Sequence, residues 1–181
     1  MSRWSPETYI KTMRFAAHAH QGQTLPGSNI PYLAHLSFVS MEVIAALETE
    51  TERDGDLAIQ CALLHDVIED TPTTADQVGE TFGPKVLAGV LALTKDKTLP
   101  TKEKQMEDSL SRIRAQPLEV WMVKLADRIS NLQVPPPYWD REKKAAYRDE
   151  ALLIHNRLQG GSSVLAKRLQ EKIEAYKNYL A

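Results

Sequence analysis

Apolar residues recur along the chain at the spacing of amphipathic helices, and no stretch shows the strict alternation that is typical of strands. In one stretch, Leu57, Cys61, Leu64 and Ile68 fall within about 60° of one another when residues advance by 100°. Turn-forming residues and N-capping residues separate these stretches, and we expect Ser5 to cap the first helix and Thr73-Thr74 to cap a short one. The predicted helices lie at 6–20, from 31 through at least 43, and at 54–70, 74–83, 84–93, 101–115, 118–132, 140–158 and 162–180.

Three of these predicted helices differ in how much surface they should bury. The segment 101–115 is polar and charged, which favours a surface helix or a mobile flap. The segment 118–132 is apolar nearly all round in its first half, as expected for a central buried helix. The segment 162–180 has one apolar stripe that suits either the core or a dimer surface, and we expect the core.

Length and composition indicate one all-α domain spanning residues 1–181. Hydrophobic residues make up 43% of the 181 and charged residues 25%, which excludes a disordered chain. Because 22 basic residues face 24 acidic ones, the net charge of −2 argues against bulk nucleic acid or an anionic membrane as a partner. A single cysteine, Cys61, excludes a disulfide framework. With no apolar run near the roughly 20 residues of a membrane span and no signal peptide, we expect a cytoplasmic protein.

The densest polar cluster in an apolar setting runs from His65 to Asp70. On a continuous helix, His65 and Glu69 lie about 40° apart, and so do Asp66 and Asp70. Three crowded carboxylates raise one another's pKa unless a cation is present, and a divalent metal would remove that conflict. The alternative is a helix C-terminus with solvated acids, although acids at that end oppose the helix dipole.

Asp127 falls on the second face of a helix that should be buried on both sides, so it needs a charged partner. That partner is either Lys124, three residues earlier, or a metal ion. His35 is the remaining nitrogen candidate for a metal. A lone helical histidine is more often a half-buried residue with its own partners, and that interpretation is kept for His155.

Together these segments resemble the HD-domain superfamily of metal phosphohydrolases, specifically alarmone hydrolases of the RelA/SpoT type in a small, hydrolase-only form. The matching segments occur in family order and cover about residues 15 to 160. They are Ala17–Gln23, Pro31–His35, Ala62–Thr71, Leu93–Thr98 and Lys124–Leu132. The resemblance implies a single HD-type helical bundle of about eight or more helices.

The resemblance also implies the roles of individual residues. It implies metal ligation of one ion, manganese in this family, by His35, His65, Asp66 and Asp127. It implies that Glu69 and Asp70 are the catalytic acids, which orient or deprotonate the attacking water. It implies substrate contacts by Asn131, Lys97, Lys143 and Tyr147, although an amphipathic surface helix explains the last two equally well.

The implied reaction is hydrolysis of the 3′-pyrophosphate of a guanosine or adenosine alarmone, (p)ppGpp or (p)ppApp, with release of pyrophosphate. One difference from the family bears on the base. Relatives carry basic residues between the Gln-Gly-Gln and Pro-Tyr segments, whereas residues 24–30 carry no positive charge here. Because a guanidinium on a purine contributes cation–π and packing energy, we expect this site to tolerate or prefer adenine over guanine.

Two other functions fit the same residues. The site could act on another substrate, as a nucleotide phosphatase or as a phosphatase of the 2′-phosphate of NADPH. Alternatively, the chain could be a catalytically silent nucleotide-binding domain, although such a domain need not keep every ligand and both acids. The sequence predicts no oligomeric state, and it leaves open whether the biological role is toxin neutralisation or tuning of a stress response.

Overall fold

The structure is a computed structural model that describes residues 4–180. Its described part is built from helices, and Thr24 and Pro31 form only an isolated antiparallel bridge. The α-helices are α1 (Pro6–Ala19), α2 (Leu33–Leu47), α3 (Gly55–Leu64), α4 (Val67–Asp70), α5 (Ala75–Phe82), α6 (Pro84–Leu93), α7 (Lys102–Arg114), α8 (Leu118–Asn131), α9 (Arg141–Leu158) and α10 (Ser163–Tyr176). Short 3-10 turns follow at Gln159–Gly161 and Lys177–Tyr179. The predicted all-α fold is confirmed.

Helix α8 lies at the centre of the molecule. It packs against α2, α3, α6, α7, α9 and α10, and all of its residues except Leu118, Trp121 and Asn131 are buried. The sequence prediction of a central buried helix is therefore confirmed. Since α2, α3 and α8 also pack against one another, side chains from three distant segments meet at their shared interface.

Helix boundaries follow local capping chemistry. Thr74 accepts from the backbone N–H of Gln77, whose side chain in turn accepts from the N–H of Thr74, so α5 begins with a full capping box. Ser5 also occupies an N-cap position, but its hydroxyl does not cap α1 as expected. Its backbone N–H instead donates to Asp56 Oδ1 at 2.7 Å and ties α1 to the start of α3.

The predicted helix from 54 to 70 is wrong in one respect, because it breaks at His65 and Asp66. Asp66 has φ −104° and ψ −2°, away from ideal helical values, and α4 starts only at Val67. The apolar period continues through the break, since Leu64 and Val67 are both buried. Hydrophobic spacing alone therefore does not predict the break. The break places the side chains of His65 and Asp66 at the α2–α8 interface.

The polar segment 101–115 forms a packed helix and not a mobile flap. Helix α7 buries Met106, Leu110 and Ile113, and it lies against α6, α8 and α9. Its polar face remains outside, as a surface helix requires. The apolar stripe of α10 belongs to the core as expected, because Leu165 and Leu169 are fully buried. Within the described residues, no helix is long and apolar enough to span a membrane.

The connection between α1 and α2 is a closed loop. The backbone N–H of Leu25 donates to Ile30 O at 2.8 Å, and that of Tyr32 donates to Gln23 O at 2.9 Å. Gly22, with φ +81°, lies two residues after His20, the C-cap of α1, and turns the chain into the loop. These bonds deliver the chain directly into α2 and place Tyr32 beside the break after α3.

Candidate active site

Three buried side chains from α2, α8 and the end of α3 converge on one point. His35 Nε2 lies 3.2 Å from His65 Nε2, and Asp127 Oδ1 lies 3.4 Å from His35 Nε2 and 3.8 Å from His65 Nε2. One potential ligand atom from each residue lies within 4.8 Å of the others. Donors of these types at these separations can hold one metal ion.

The hydrogen bonds of His65 define which of its nitrogens faces the cluster. Its Nδ1 lies 2.8 Å from the carbonyl oxygen of Ala62, and because a carbonyl only accepts, Nδ1 donates. The lone pair of the neutral ring is then on Nε2, which lies 2.9 Å from the carboxylate oxygen Asp66 Oδ2. Two acceptors at this distance require a proton or a cation between them.

The same carboxylates control the charge of the His65 ring. Burial disfavours the imidazolium, but Asp66 and Asp127 outweigh that penalty and raise the pKa of His65 to about 9. Burial likewise opposes the charge of Asp127, yet Lys124 and the two histidines hold the pKa of that carboxyl well below its usual range. The Asp127 carboxylate therefore stays ionised, and a positive charge within the cluster is strongly stabilised.

Of the two partners that the sequence left open for Asp127, the structure shows Lys124, and the metal role stays a prediction. Asp127 Oδ2 lies 3.0 Å from Lys124 Nζ, while its Oδ1 points at the two histidines. Asn131 Nδ2 donates to the same Oδ1 at 2.6 Å, which links a predicted substrate residue to a predicted ligand. The ion pair with Lys124 holds the carboxylate in place without using the oxygen that faces His35.

Asp66 lies at the edge of the cluster. Its Oδ2 is 3.7 Å from His35 Nε2 as well as 2.9 Å from His65 Nε2, and it accepts a hydrogen bond from the Tyr32 hydroxyl. Its side chain is 21% exposed, so this carboxylate is the most open of the four predicted ligands. The break between α3 and α4 is what turns it towards the histidines.

Glu69 and Asp70, the predicted catalytic acids, have different surroundings on α4. Glu69 Oε2 accepts from the backbone N–H of Lys95 at 3.0 Å, and Lys97 Nζ donates to the Glu69 carbonyl at 3.1 Å. Asp70 is exposed as a residue, but its carboxyl is partly desolvated. This desolvation, together with the charges of Asp66 and Glu69, raises the pKa of Asp70. Glu69 thus holds the segment after α6, whereas the raised pKa of Asp70 favours uptake of a proton by its carboxylate.

Two cavities meet beside the cluster. The smaller, about 190 Å³, is lined by acidic and basic side chains and by Asn131. The larger, about 600 Å³, presents mainly apolar surface, including the Trp139 ring, although six of its eleven lining residues are charged, among them Lys143. Tyr147 and Glu150 line both. A ligand with a charged part and an aromatic part could therefore occupy the two together.

The remaining predicted substrate residues lie in or near these cavities. Lys143 Nζ is 4.6 Å from the centroid of the Trp139 ring, and Tyr147 meets the same ring edge-on at 5.1 Å. Burial raises the pKa of Tyr147 to about 12, against the opposing charge of Arg128. Lys97 contacts the smaller cavity only through Glu69.

Four residues near the cluster were missed by the sequence analysis. They are Tyr32, whose hydroxyl donates to Asp66; Ser130, whose Oγ lies 3.2 Å from His35 Nδ1; and Arg128 and Glu150, which form an ion pair beside Tyr147. These contacts join residues far apart in the chain and follow no local spacing. Only the buried charge of Arg128, next to Asp127 on the central helix, gave a usable signal.

Known proteins share this architecture. A family model described as HD domain matches residues 12–162. The chain belongs to the HD-domain family. The resemblance to the HD-domain superfamily is thereby confirmed, and the relatives described next confirm its alarmone-hydrolase part.

Relatives of this HD domain include named hydrolases. It is 33% identical to mouse guanosine-3′,5′-bis(diphosphate) 3′-pyrophosphohydrolase MESH1, over 91% of this chain and 92% of that protein. It is 38% identical to the Escherichia coli bifunctional (p)ppGpp synthase/hydrolase SpoT, over 71% of this chain and 18% of SpoT. A solved metazoan SpoT orthologue that hydrolyses ppGpp matches it with a TM-score of 0.80 and 26% identity, covering 98% of this chain and 99% of that one.

Proposed function

We propose that this HD domain, residues 1–181, is a metal-dependent 3′-pyrophosphohydrolase of purine alarmones that releases pyrophosphate. The observation that carries the proposal is the convergence of His35, His65 and Asp127, with a histidine lone pair and carboxylate oxygens facing one another. Full-length similarity to guanosine-3′,5′-bis(diphosphate) 3′-pyrophosphohydrolases supports the substrate class. Its product and substrate place the chain in stringent-response chemistry.

The donor set fits one divalent ion, for which we propose Mn²⁺. Imidazole nitrogens and carboxylate oxygens suit a borderline-to-hard cation, with His35, His65, Asp66 and Asp127 as the ligands. When bound, such an ion lowers the pKa of water and neutralises charge on phosphoryl oxygens. The smaller cavity needs this charge, since its walls hold five carboxylates and three cationic side chains: Asp66, Glu69, Asp70, Asp127, Glu150, Lys95, Lys124 and Arg128.

The protein's own residues supply positioning and proton transfer. Asp70 accepts a proton from the attacking water, whose oxygen bonds to the phosphorus attached to O3′. The P–O3′ bond then breaks, and the proton that O3′ takes up balances the one that Asp70 accepted. Glu69 holds the backbone of Lys95 and so keeps that side chain at the phosphates.

The nucleoside occupies the larger cavity in this proposal. Its apolar walls and the Trp139 and Tyr147 rings suit a purine, and Lys143 lies where it can reach a phosphate. Tyr147 and Asn131 line the smaller cavity and contact the ribose side of the scissile bond. The small-molecule substrate is the only partner that this mechanism requires.

The loop between α1 and α2 bears on the choice of base. Residues 24–30 offer no cation to stack on a purine, so about 1–2 kcal/mol of base-specific binding is missing. We expect (p)ppApp to be hydrolysed with a kcat/KM at least comparable to that of (p)ppGpp. Steady-state kinetics on both nucleotides test this, and a strong guanine preference would contradict it.

The direct test of the function is a product assay on the purified protein. With Mn²⁺ present, ppGpp or ppApp should yield pyrophosphate, and a chelator should abolish the reaction. Orthophosphate instead of pyrophosphate would identify a phosphatase acting on nucleotides or NADPH. Asp127→Ala should abolish turnover. If the native chain binds the nucleotide without turning it over, and Asp127→Ala leaves that affinity unchanged, the chain is a silent nucleotide-binding domain.

A further inference from the structure

Tyr32 is a half-buried neighbour of the cluster that lies in the matching segment Pro31–His35, but neither the implied residue roles nor the mechanism uses its side chain. It lies at the last residue of the loop before α2, and its hydroxyl donates to Asp66 Oδ2. A carboxylate oxygen only accepts, so the phenol O–H is the donor in this pair. This hydrogen bond spans 34 residues of sequence.

The phenol ring is itself held from two sides. It stacks on the His20 ring at 4.9 Å with an interplanar angle of 25°, and it lies 5.3 Å from the His35 ring. His20 is fixed in turn, because its Nδ1 lies 2.7 Å from Gln23 Oε1. The Tyr32 backbone N–H donates to the Gln23 carbonyl. Gln23 therefore holds the Tyr32 backbone directly and the Tyr32 ring through His20.

Asp66 needs such a partner more than the other predicted ligands do. It lies outside regular helix, its side chain is the most exposed of the four, and within the described residues its charged neighbours are the site histidines and no Lys or Arg. Asp127, by contrast, has Lys124 and Asn131 to fix its carboxylate. The Tyr32 hydroxyl is the group that orients Asp66 Oδ2 towards the histidines.

We propose that Tyr32 is a positioning residue that pre-orients Asp66 for metal binding, with His20 and Gln23 fixing its ring. The inference rests on the proposed function, since it assigns Asp66 to the metal. Groups that orient metal ligands typically contribute 10–100-fold in metal affinity or activity when they are removed. Tyr32 therefore acts on affinity for the metal and not on the substrate.

The test compares Tyr32→Phe, which keeps the ring and removes the hydroxyl, with Tyr9→Phe. Tyr9 is a matched control because its hydroxyl lies 3.3 Å from Ser40 Oγ, in a single hydrogen bond between α1 and α2. Calorimetric titration of the chelator-treated protein with Mn²⁺ alone should show a Kd raised about 10–100-fold for Tyr32→Phe and unchanged for Tyr9→Phe. Saturating Mn²⁺ should restore most of the turnover.

A double-mutant cycle identifies the route of the effect. In an Asp66→Asn background, Tyr32→Phe should cause no further loss of Mn²⁺ affinity. An equal loss in both backgrounds, or native-like affinity in Tyr32→Phe, would overturn the positioning role. So would a larger drop in the chelated protein's melting temperature than Tyr9→Phe produces, because a structural role would then suffice.

The proposed function fails separately. If the native chain neither binds Mn²⁺ nor releases pyrophosphate, both conclusions are wrong. If it does both and the Tyr32→Phe titration matches the native one, only the positioning role is lost.

Discussion

At the scale of single residues, different atoms of the site balance charge and face the proposed chemistry. Asp127 gives one oxygen to Lys124 and the other to the histidines, so the same buried carboxylate is both an ion-pair partner and a candidate ligand. Glu69 and Asp70 divide similarly, with Glu69 bonded to the segment after α6 and Asp70 open to the cavity. Adjacent residues of like charge therefore perform different tasks because their partners differ.

Asp70→Asn tests the proton acceptor. The amide cannot accept the proton of water, so we expect kcat to fall about 10²–10⁴-fold, as for loss of a general base. Asp70 is not among the predicted ligands, so calorimetric Mn²⁺ affinity should stay close to native. Turnover within a few-fold of the native chain would assign proton transfer elsewhere.

The predicted ligands came from residue types in ordered motifs, and the structure brings His35, His65 and Asp127 together. Their metal role stays a prediction. The sequence could not reveal Tyr32 or Ser130 as neighbours of this cluster, because both contacts depend on tertiary packing and have no fixed spacing from their partners.

At the scale of elements, hydrophobic periodicity did not predict the break between α3 and α4. The apolar residues continue in register across His65 and Asp66, so periodicity predicted one helix. The backbone instead turns there and directs both side chains at α2 and α8. Helix starts were easier to predict, since the Thr74 capping box depends only on neighbouring residues. The predicted cap at Ser5 was wrong, because its hydroxyl makes no capping hydrogen bond.

Close packing of α6 on α3 is a second property that spacing does not show. A Cβ on Gly89 would lie 2.7 Å from Cys61 Sγ and 3.0 Å from Val120 Cγ2. We expect Gly89→Ala to destabilise the protein by about 1–3 kcal/mol through overpacking. Thermal melting should show a Tm about 2–10 °C lower at this chain length.

Gly160→Ala is the control for this prediction, because nothing lies within 4 Å of a Cβ at Gly160. Its Tm should change little or rise slightly, as unfolded-chain entropy falls. Equal destabilisation by both substitutions would mean that glycine's flexibility and not the α3–α6 contact is responsible.

At the scale of the whole molecule, one helix serves the core and the site together. Helix α8 packs against six others and also carries Asp127, Arg128 and Asn131 to the cavity. Because the predicted ligands lie on α2, in the break after α3 and on α8, a metal that binds them would link elements from the first and second halves of the chain. Metal binding and global stability should therefore be coupled.

This coupling is measurable as a Mn²⁺-dependent melting temperature. At a free Mn²⁺ concentration 100 times Kd, binding adds about 2.7 kcal/mol to the free energy of unfolding. For a domain of this size that raises Tm by about 5–10 °C. His35→Ala should remove the increase, whereas His155→Ala, which changes a histidine far along α9, should keep it.

The most direct test of the central claim is a crystal structure grown with Mn²⁺, with anomalous scattering used to locate the ion. We expect one anomalous peak within coordination distance of His35 Nε2, His65 Nε2, an Asp66 oxygen and Asp127 Oδ1. A peak elsewhere, or an ordered site with no peak at saturating Mn²⁺, would contradict it.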